Sequence, residues 1–412
     1  MEMISEQLQT PVRGTYDVIV SGGGPSGCAA AIAAARAGAS VLLVERQNCL
    51  GGMWTSGFVN PLFDAANKGG LLAELIGDLK KADAWGGFWN ISFHYEYMKT
   101  LLEQKCMEAG VTLLYETQCV GALRSGNRVT GIRTESIDGR SAYLGSVIID
   151  ASGDGALAAD AGAGFQFGDA KTHLCQAMTL MFLVGNIPEK YRDGLMMRDV
   201  LAAAYEKEGL GRSAPFQAPF LIPVPNANFG VVMLTHMRGY SALSAAERTQ
   251  AVLEGRKQMI EIYELLRRYD PDFKDWMLLQ SAPILGVRES RRIDGEYTLT
   301  DDDLRTGARF SDGVCTVTFN VDIHDESRTS QTCCPVQPYQ IPYRCMIPRG
   351  LEGLLVAGKT ISGTRRAMAS YRVTGDCCAM GEAAGKAAAY AAAHDGLVRN
   401  VPDEIVREPQ AE

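Results

Sequence analysis

The chain has 412 residues, of which 46% are hydrophobic and 21% are charged. These fractions allow a sizeable core and argue against extensive disorder. The 40 basic and 48 acidic residues give a net charge of −8, which argues against a nucleic-acid-binding surface. No apolar run reaches the ~18 residues of a membrane span, and no secretory signal opens the chain. We therefore expect a cytoplasmic protein without a membrane span.

A βαβ unit is predicted near the start of the chain. Residues 16–21 (YDVIVS) and 41–45 (VLLVE) are apolar runs with the length of buried strands, and the Ala-rich segment 25–37 between them predicts a helix. Two strands joined by a helix in so short a stretch form the unit from which dinucleotide-binding domains are built.

Most of the remaining predicted elements are also helices and strands of the kind found in an α/β domain. They comprise helices at 69–82 and 93–109, strands at 111–117, 119–124, 129–135 and 141–149, a strand at 353–357 and an Ala-rich helix at 376–394.

The pattern of predicted elements changes between about residue 174 and residue 340. Prolines punctuate short strands there, and a long helix at 244–269 begins with a Ser244–Glu247 capping box. We therefore predict an α/β fold in which a Rossmann-like domain is split in sequence by an inserted α+β domain. The predicted boundaries are 14–173 and 341–396 for the Rossmann-like domain, 174–340 for the insert and 397–412 for a C-terminal tail.

A G-x-G-x-x-G motif formed by Gly22, Gly24 and Gly27 lies between the first strand and the first helix. Gly22 permits a tight turn, Gly24 lets a diphosphate approach the backbone, and Gly27 lets the helix pack close to the strand. The helix N-terminus offers free N–H groups and a partial positive charge to the diphosphate. Glu45, at the end of the second strand, can accept hydrogen bonds from ribose hydroxyls and would repel a 2′-phosphate.

A second glycine pair follows in residues 46–57 (RQNCLGGMWTSG), where an NAD-binding domain has no use for one. Here the chain resembles the FAD-dependent oxidoreductases of the glutathione-reductase-like superfamily, in the branch related to fumarate reductase. The resemblance covers nearly the whole chain and is carried by the blocks DVIVSGGGPSGCAAAIAAARAG, ERQNCLGGMWTSGFVNP, VIIDASGDGALAADAGA, APILGVRESRRIDGEYTLTDDDL, NVDIHD, PYQIPYRCMIPRGLEGLLVAGKTISG and ASYRVTGDCCAMGEAAGKAAAYA. It implies an FAD-binding domain with a substrate-binding lid formed by the insert.

The resemblance also implies roles for individual residues. The cofactor-binding residues that it implies are Gly22, Gly24, Pro25, Ser26 and Gly27 at the diphosphate, Glu45, Arg46 and Val120 at the adenosine, Gly51, Gly52 and Met53 along the flavin, and Ala151, Gly153, Asp154, Gly358, Gly375, Asp376 and Cys377 in the later segments. Related enzymes attach FAD through a His in the segment after the ribose acid. Residues 49–57 contain no His, so non-covalent FAD is expected.

His324 is the candidate acid/base residue. It lies in the sequence Asp322-Ile323-His324-Asp325, where a carboxylate can orient the imidazole. The alternative is a structural His in a polar loop. The chain has four other histidines without a comparable setting, which are His94, His173, His236 and His394.

Arg288, Arg291 and Arg292 form a basic cluster that offers two interpretations. Relatives that act on carboxylates hold them with paired arginines, because the guanidinium fork fits a carboxylate. Ion pairs with neighbours such as Glu289 would explain the same cluster without a substrate. Tyr343 is similarly open, since it is either a proton donor in the site or a core aromatic residue with a bonded hydroxyl.

Eleven cysteines are spread along the chain without the spacing of a disulfide framework or of a zinc site, so we expect reduced thiols and no metal. The adjacent pairs Cys333-Cys334 and Cys377-Cys378 also lack the C-x-x-C spacing of flavin disulfide reductases.

The predicted function is hydride transfer between a small polar organic substrate and flavin N5, with an unidentified electron acceptor. One alternative is a fumarate-reductase-like reductase of an unsaturated carboxylate, and another is a flavin subunit of an electron-transfer assembly. An aromatic monooxygenase or flavin halogenase would share the first βαβ unit, but the tryptophan-rich halogenase signature is missing.

Overall fold

The structure is a computed structural model that describes residues 3–408. In that range the strands are β1 (Val12–Ser21), β2 (Val41–Val44), β3 (Trp85–Gly86), β4 (Ser92–Phe93), β5 (Thr112–Leu114), β6 (Gln118–Ser125), β7 (Arg128–Ser136), β8 (Gly139–Asp150), β9 (Phe165–Gln166), β10 (Phe182–Gly185), β11 (Leu195–Met196), β12 (Phe220–Pro223), β13 (Phe229–Met233), β14 (Met277–Ser281), β15 (Arg292–Ile293), β16 (Gly313–Val317), β17 (Val321–His324), β18 (Gln331–Cys334), β19 (Tyr339–Pro342) and β20 (Leu354–Val356). The α-helices are α1 (Pro25–Arg36), α2 (Gly70–Lys81), α3 (Tyr95–Ala109), α4 (Ala156–Asp160), α5 (Arg198–Glu208), α6 (Ala245–Tyr269), α7 (Asp301–Thr306), α8 (Arg365–Tyr371), α9 (Thr374–Ala393) and α10 (Asp403–Val406).

The largest sheet of the described chain has seven strands in the order β5-β2-β1-β8-β7-β6, with β20 pairing to β8. β8 is shared between two arrangements, because its first half pairs antiparallel with β7 and its last three residues pair parallel with β20. The apolar runs of β1, β2 and β8 are buried, as expected for parallel strands covered on both faces. This sheet confirms the predicted α/β class with a Rossmann-like core.

Two Ala-rich helices, α1 and α9, pack against each other through glycine. A methyl group on Gly381 would overlap the carbonyl of Ser26, and one on Gly385 would overlap the carbonyl of Ala30. The helix backbones therefore approach as closely as backbones can, which explains why small residues dominate both sequences.

A five-stranded antiparallel sheet, ordered β11-β12-β13-β10-β14, forms a second unit with α5 and α6. We call residues 182–281 the five-stranded unit. It has a separate core that includes Phe182, Leu266, Phe273 and Trp276. The side chain of Ser244 accepts the N–H of Glu247 at the start of α6, as predicted, but the Glu247 carboxylate accepts the N–H of Ser241 rather than that of Ser244.

The chain returns from the five-stranded unit to the main core well before residue 340. Leu299, Cys315, Val317 and Tyr339 all belong to the main core. The division of the chain at residues 174 and 340 stays a prediction. In the described range, no helix combines the length and the apolar character needed to cross a membrane.

Two element ends differ from prediction for local reasons. β1 starts at Val12 because it pairs in parallel with the early part of β8. The helix predicted from residue 93 starts at Tyr95, since Ser92 and Phe93 pair with Trp85 and Gly86 as strands.

Candidate active site

The glycine loop has the shape that a diphosphate requires. Gly22 has φ +104°, and a methyl group there would lie 2.6 Å from the carbonyl oxygen of Ala151. A methyl group on Gly27 would overlap the carbonyl of Gly22, whereas one on Gly24 would meet no protein atom within 4 Å. The backbone is therefore crowded behind the loop and open in front of it at Gly24.

Two helices of the described chain begin without a side-chain cap at places where a cofactor would need them. α1 starts after Gly24, with Pro25 as its first residue, and α9 starts after Val373; no side chain of residues 3–408 caps either. Among the described helices, α6, α7 and α8 are capped by Ser244, Thr300 and Thr364, whereas α2, α3, α4, α5 and α10 also begin without a side-chain cap. The first-turn N–H groups of α1 and α9 thus remain available to a ligand.

Glu45 lies directly behind the glycine loop. Its carboxylate accepts the N–H of Gly23 at 2.6 Å and the N–H of Gln47 at 2.8 Å. The loop and the predicted ribose-binding acid are therefore held together by hydrogen bonds within the protein. Arg46 and Val120, the other predicted adenosine contacts, are both exposed.

The second glycine pair contacts the first. The N–H of Gly51 donates to the carbonyl of Gly23 at 2.8 Å. A methyl group on Gly52 would lie 3.0 Å from the Cα of Gly24. Both Gly51 (φ +99°) and Gly52 (φ +49°) have left-handed backbone conformations, so glycine suits each position. The predicted flavin segment therefore runs beside the predicted diphosphate loop.

The later cofactor segments converge on the same edge of the sheet, because the carboxyl ends of β1, β8 and β20 are adjacent. A methyl group on Gly358 would lie 2.9 Å from Oγ of Ser26 and 3.8 Å from Sγ of Cys377. Burial raises the pKa of the Cys377 thiol to about 12. A methyl group on Gly375 would lie 2.5 Å from the carbonyl oxygen of Phe63.

Gly153 and Asp154 face the five-stranded unit and its continuation. Gly153 has φ +74°. The Asp154 carboxylate pairs with Arg248 of α6 at 2.8 Å, and its backbone carbonyl accepts a hydrogen bond from Arg291 at 3.0 Å. Arg291 therefore contacts a predicted cofactor segment. Its guanidinium also lies over the ring of Phe165.

Asp376 belongs to a buried charge cluster. Its carboxylate lies 2.8 Å from Nζ of Lys68, which also pairs with Asp64 at 3.0 Å, and none of the three side chains is more than 3% exposed. Burial raises the pKa of the Asp376 carboxyl well above its usual range. Only the backbone of Asp376, in the first turn of α9, remains to face a flavin.

Lys359 is a site residue that the sequence did not reveal. It directly follows Gly358, and its ammonium donates to the carbonyl of Val287 at 2.6 Å. A methyl group on Gly153 would lie 4.0 Å from the same Nζ. Burial lowers the pKa of Lys359, and the Asp154 carboxylate opposes that shift. A cation therefore bridges the cofactor segments and the chain that leads to Arg288.

His324 is buried between two hydrogen-bond partners. One ring nitrogen lies 3.1 Å from Oδ2 of Asp322, and the other lies 2.8 Å from Nε2 of His236. Phe216 stacks on His236 with ring centroids 4.0 Å apart. Burial, together with the nearby charge of Arg288, lowers the pKa of His324 to about 3. His236, which has no distinctive setting in the sequence, is thus the direct partner of the predicted acid/base residue.

Arg288 lies beside this pair without a counter-ion. Its guanidinium donates to the carbonyl of Ala177 at 2.7 Å and to Oγ1 of Thr179 at 2.8 Å. No carboxylate of residues 3–408 forms an ion pair with it. Burial, reinforced by the charge of Arg372, lowers the pKa of Arg288 to about 9, so it is cationic at neutral pH.

We call His236, His324, Asp322 and Arg288 the His324 cluster. Arg372 connects this cluster to the start of α9. Its Nη2 donates to the carbonyl of Asp322 at 2.8 Å and to Oδ2 of the same residue at 3.0 Å. Its own carbonyl accepts from Sγ of Cys377 at 3.5 Å. Met53 approaches from the other side, since a methyl group on Gly286 would lie 3.5 Å from its Cε. The predicted flavin segments therefore lie next to the His324 cluster.

Two candidate residues have partners of a different kind. Arg292 pairs with the fully buried Glu289 at 2.7 Å, so the ion-pair interpretation holds for this member of the arginine cluster. The hydroxyl of Tyr343 donates to the carbonyl of Val398 at 2.9 Å inside the main core. Tyr343 is therefore bonded within the core and contacts no member of the His324 cluster.

The cysteines carry no cross-links. All eleven lie between residues 28 and 378, within the described range, and all are free thiols. No group of three or more His, Cys, Asp or Glu side chains in residues 3–408 is arranged to hold a metal ion.

Comparison with known proteins gives one match over nearly the whole chain and several partial or distant ones. The family model described as FAD dependent oxidoreductase matches residues 17–412. Thiamine thiazole synthase of Aeropyrum pernix is 35% identical over 118 residues, which are 28% of this chain. The chain spans 42% of that relative's length.

Two solved structures are similar in fold. Flavin-dependent brominase Bmp2 has a TM-score of 0.50 at 16% identity, covering 92% of this chain and 80% of the brominase. The p-nitrophenol 4-monooxygenase PnpA from Pseudomonas putida DLL-E4 has a TM-score of 0.50 at 11% identity, covering 95% of this chain and 84% of the monooxygenase. At these identities the likeness concerns the fold alone.

The fold and the glycine-lined site define a flavin-dependent oxidoreductase. The chain belongs to the FAD dependent oxidoreductase family, and its cofactor is FAD. Open space in front of Gly24 and the uncapped N-termini of α1 and α9 fit that cofactor. Non-covalent attachment and membership of the fumarate-reductase branch stay predictions.

Proposed function

We propose that this enzyme transfers a hydride between a small polar organic substrate and FAD, with Arg288 holding the substrate and His324 moving a proton. The observation that carries the proposal is the convergence of Arg288, His324 and Arg372 on the region bordered by Met53 and the start of α9. FAD, when bound, supplies a two-electron carrier whose N5 accepts or donates the hydride.

Each residue of the cluster has a distinct role in this proposal. Arg288 offers N–H groups that no protein carboxylate neutralises, so it can bind a carboxylate or another polar oxygen group. Asp322, held by Arg372, fixes the ring of His324. The first turn of α9 places partial positive charge at the flavin end of the cofactor, which favours its reduced anionic form. The electron acceptor is a second small molecule or protein of unidentified class.

The test is an anaerobic screen of the holoenzyme. Flavin bleaching is followed with lactate, malate, succinate, simple alcohols and amines, and oxygen is then admitted. We expect at least one donor to bleach the flavin. His324→Ala should retain FAD and slow that step by ~100-fold or more, the usual scale for a lost acid/base group. His173→Ala, at an exposed position, is the matched control. Equal rates in both variants would contradict the role of His324.

A second candidate function is reduction of the double bond of an unsaturated carboxylate. The specific observation in its favour is the pair of arginines, Arg288 and Arg372, of which Arg288 has no carboxylate partner in residues 3–408. Photoreduced enzyme mixed with fumarate or crotonate without oxygen distinguishes the two. Rapid reoxidation by an enoate favours the reductase, and its absence favours the first proposal.

A further inference from the structure

The ring nitrogens of His236 and His324 lie in one continuous line of contacts. One nitrogen of His236 is 2.7 Å from the carbonyl oxygen of Thr235, and its other nitrogen is 2.8 Å from His324. The second nitrogen of His324 is 3.1 Å from Oδ2 of Asp322. All four ring nitrogens are engaged, and the line ends on an oxygen acceptor at each end.

Three contacts in a row need three hydrogens. A carbonyl and a carboxylate can only accept, so each end contact requires an N–H, and the contact between the rings requires one more. Two neutral imidazoles carry only two hydrogens. This count does not depend on which nitrogen of either ring is which, because all four are used. The complete network therefore holds one proton more than the neutral pair.

Asp322 does not supply the missing hydrogen. Its carboxylate accepts from Arg372 at 3.0 Å and also from the amide of Gln331. Although burial opposes ionisation, the bonds from His324 and Arg372 hold the pKa of Asp322 well below its usual range. The third hydrogen has to be a proton on the histidine pair.

The charges around the pair disfavour that proton. Arg238, Arg288 and Arg372 give three positive charges against the single negative charge of Asp322. Burial and the charge of Arg288 lower the pKa of both His236 and His324. The groups that face the pair from neighbouring elements are Arg238, Arg288, Arg372, Asp322, Gln331 and Cys333. In the absence of another anion, one contact of the line lacks its hydrogen at neutral pH.

We propose that an anionic group bound by Arg288 causes the His236–His324 pair to take up one proton from solvent. The anion adds the negative charge that offsets Arg288, and a new N–H bond on one ring then completes the line. No electron moves in this step, and the proton comes from water or buffer. The inference rests on the proposed function in that the anion is part of the substrate, which identifies the substrate class as a carboxylate or a comparable oxyanion.

His236 is a positioning residue in this scheme, because it acts through His324. Its role is to share the added proton with His324. Because both nitrogens of His324 are engaged, delivery of that proton to the substrate requires the His324 ring to leave one of these two contacts. A neutral substrate would leave the pair unprotonated, and the site would thereby distinguish anionic from neutral compounds.

The test measures protons rather than turnover. The holoenzyme is titrated calorimetrically with acetate, malonate and succinate at several pH values, in two buffers of different ionisation enthalpy that are neither carboxylates nor phosphates. We expect about one proton taken up per bound anion and an affinity that rises ~10-fold for each unit decrease in pH around neutrality. Binding without proton uptake, or failure of all three anions to bind, would overturn the proposal.

Two variants locate the effect. His236→Phe removes the outer ring and with it the need for the third hydrogen, so the proton uptake and the pH dependence of affinity should disappear. His394→Phe changes an exposed His at the end of α9 and should leave both unchanged. If His236→Phe retains no FAD, the wild-type measurement decides. Failed coupling with a substrate that still bleaches the flavin overturns this inference alone, whereas intact coupling with no reactive donor overturns the proposed function alone.

Discussion

The carboxylate of Asp154 and the guanidinium of Arg248 lie 2.8 Å apart and join two parts of the molecule with separate cores. Asp154 follows β8 of the large sheet, and Arg248 lies in the first turn of α6. Both side chains are about three-quarters buried. The pair therefore fixes the five-stranded unit to the edge of the sheet where the cofactor segments meet.

The first prediction concerns this pair. Arg248→Ala should lower the free energy of unfolding by about 1–3 kcal/mol, because it removes a hydrogen bond between charged groups. Thermal denaturation of the holoenzyme measures the loss. Arg256→Ala is the matched control, since Arg256 is exposed on the same helix. A loss of the same size in the Asp154→Asn background would show that the two side chains do not interact.

The second prediction concerns the glycine loop. Gly24→Val should fold normally but retain no FAD, because its side chain meets no protein atom and instead fills the approach of the diphosphate. Flavin absorbance per polypeptide after gel filtration measures occupancy. Gly77→Val, at another position where an added methyl group meets no protein atom, should keep full occupancy. Full flavin content in folded Gly24→Val would place the diphosphate elsewhere.

The third prediction concerns Lys359. Lys359→Met should weaken FAD binding by about 1–3 kcal/mol, because it removes a partly buried cation that lies beside Gly153, a predicted cofactor residue. Titration of the apoprotein with FAD measures the affinity. Lys359→Arg should restore a large part of it, and Lys386→Met, on the surface of α9, should have no effect. An unchanged affinity in Lys359→Met would show that its ammonium serves the protein alone.

The fourth prediction concerns the buried cluster under α9. Lys68→Met should destabilise the protein by about 3 kcal/mol or more, because two buried carboxyls lose the one cation that pairs with them in residues 3–408. Lys81→Met removes an exposed ion pair and should cost less than about 1 kcal/mol. Urea denaturation measures both. Equal effects would contradict the importance of burial.

The cluster of Lys68, Asp64 and Asp376 should make the free energy of unfolding depend on pH in a defined direction. Although burial disfavours its charge, the carboxylates of Asp376 and Asp64 raise the pKa of Lys68 from 10.5 to about 12. A group whose pKa is raised by folding stabilises the protein fully below its unfolded value. Its contribution should therefore be lost as the pH rises from 10.5 through about 12, and Lys68→Met should lack this loss.

The cofactor half of the site was accessible from the sequence because its signals are local. Gly22, Gly24 and Gly27 lie within six residues, between a strand and a helix whose periodicities are plain. The backbone conformation of Gly22 and the close contacts of Gly22 and Gly27 require glycine, whereas Gly24 leaves space for a ligand, so the residue type itself carries the prediction. Gly51 and Gly52 carry a signal of the same local kind, because both have positive φ angles that favour glycine.

The substrate half was less accessible because its contacts are distant in sequence. His236 and His324 are 88 residues apart, and Lys359 reaches a carbonyl 72 residues away. No periodicity connects such positions. The arginine cluster shows the same limit, since adjacent residues face different partners: Arg288 has none of opposite charge in residues 3–408, Arg291 contacts Asp154, and Arg292 pairs with Glu289.

The glycine contacts between α1 and α9 fix a distance. The N-terminus of α1 lies at the predicted diphosphate loop and that of α9 at the predicted flavin segment, and the two backbones touch at Gly381 and Gly385 with no side chain between them. Such helices can neither slide together nor separate by rotamer changes. The spacing between the predicted diphosphate site and the start of α9 is therefore set by backbone contacts, so a larger side chain at Gly381 or Gly385 would change the distance between the two predicted cofactor sites.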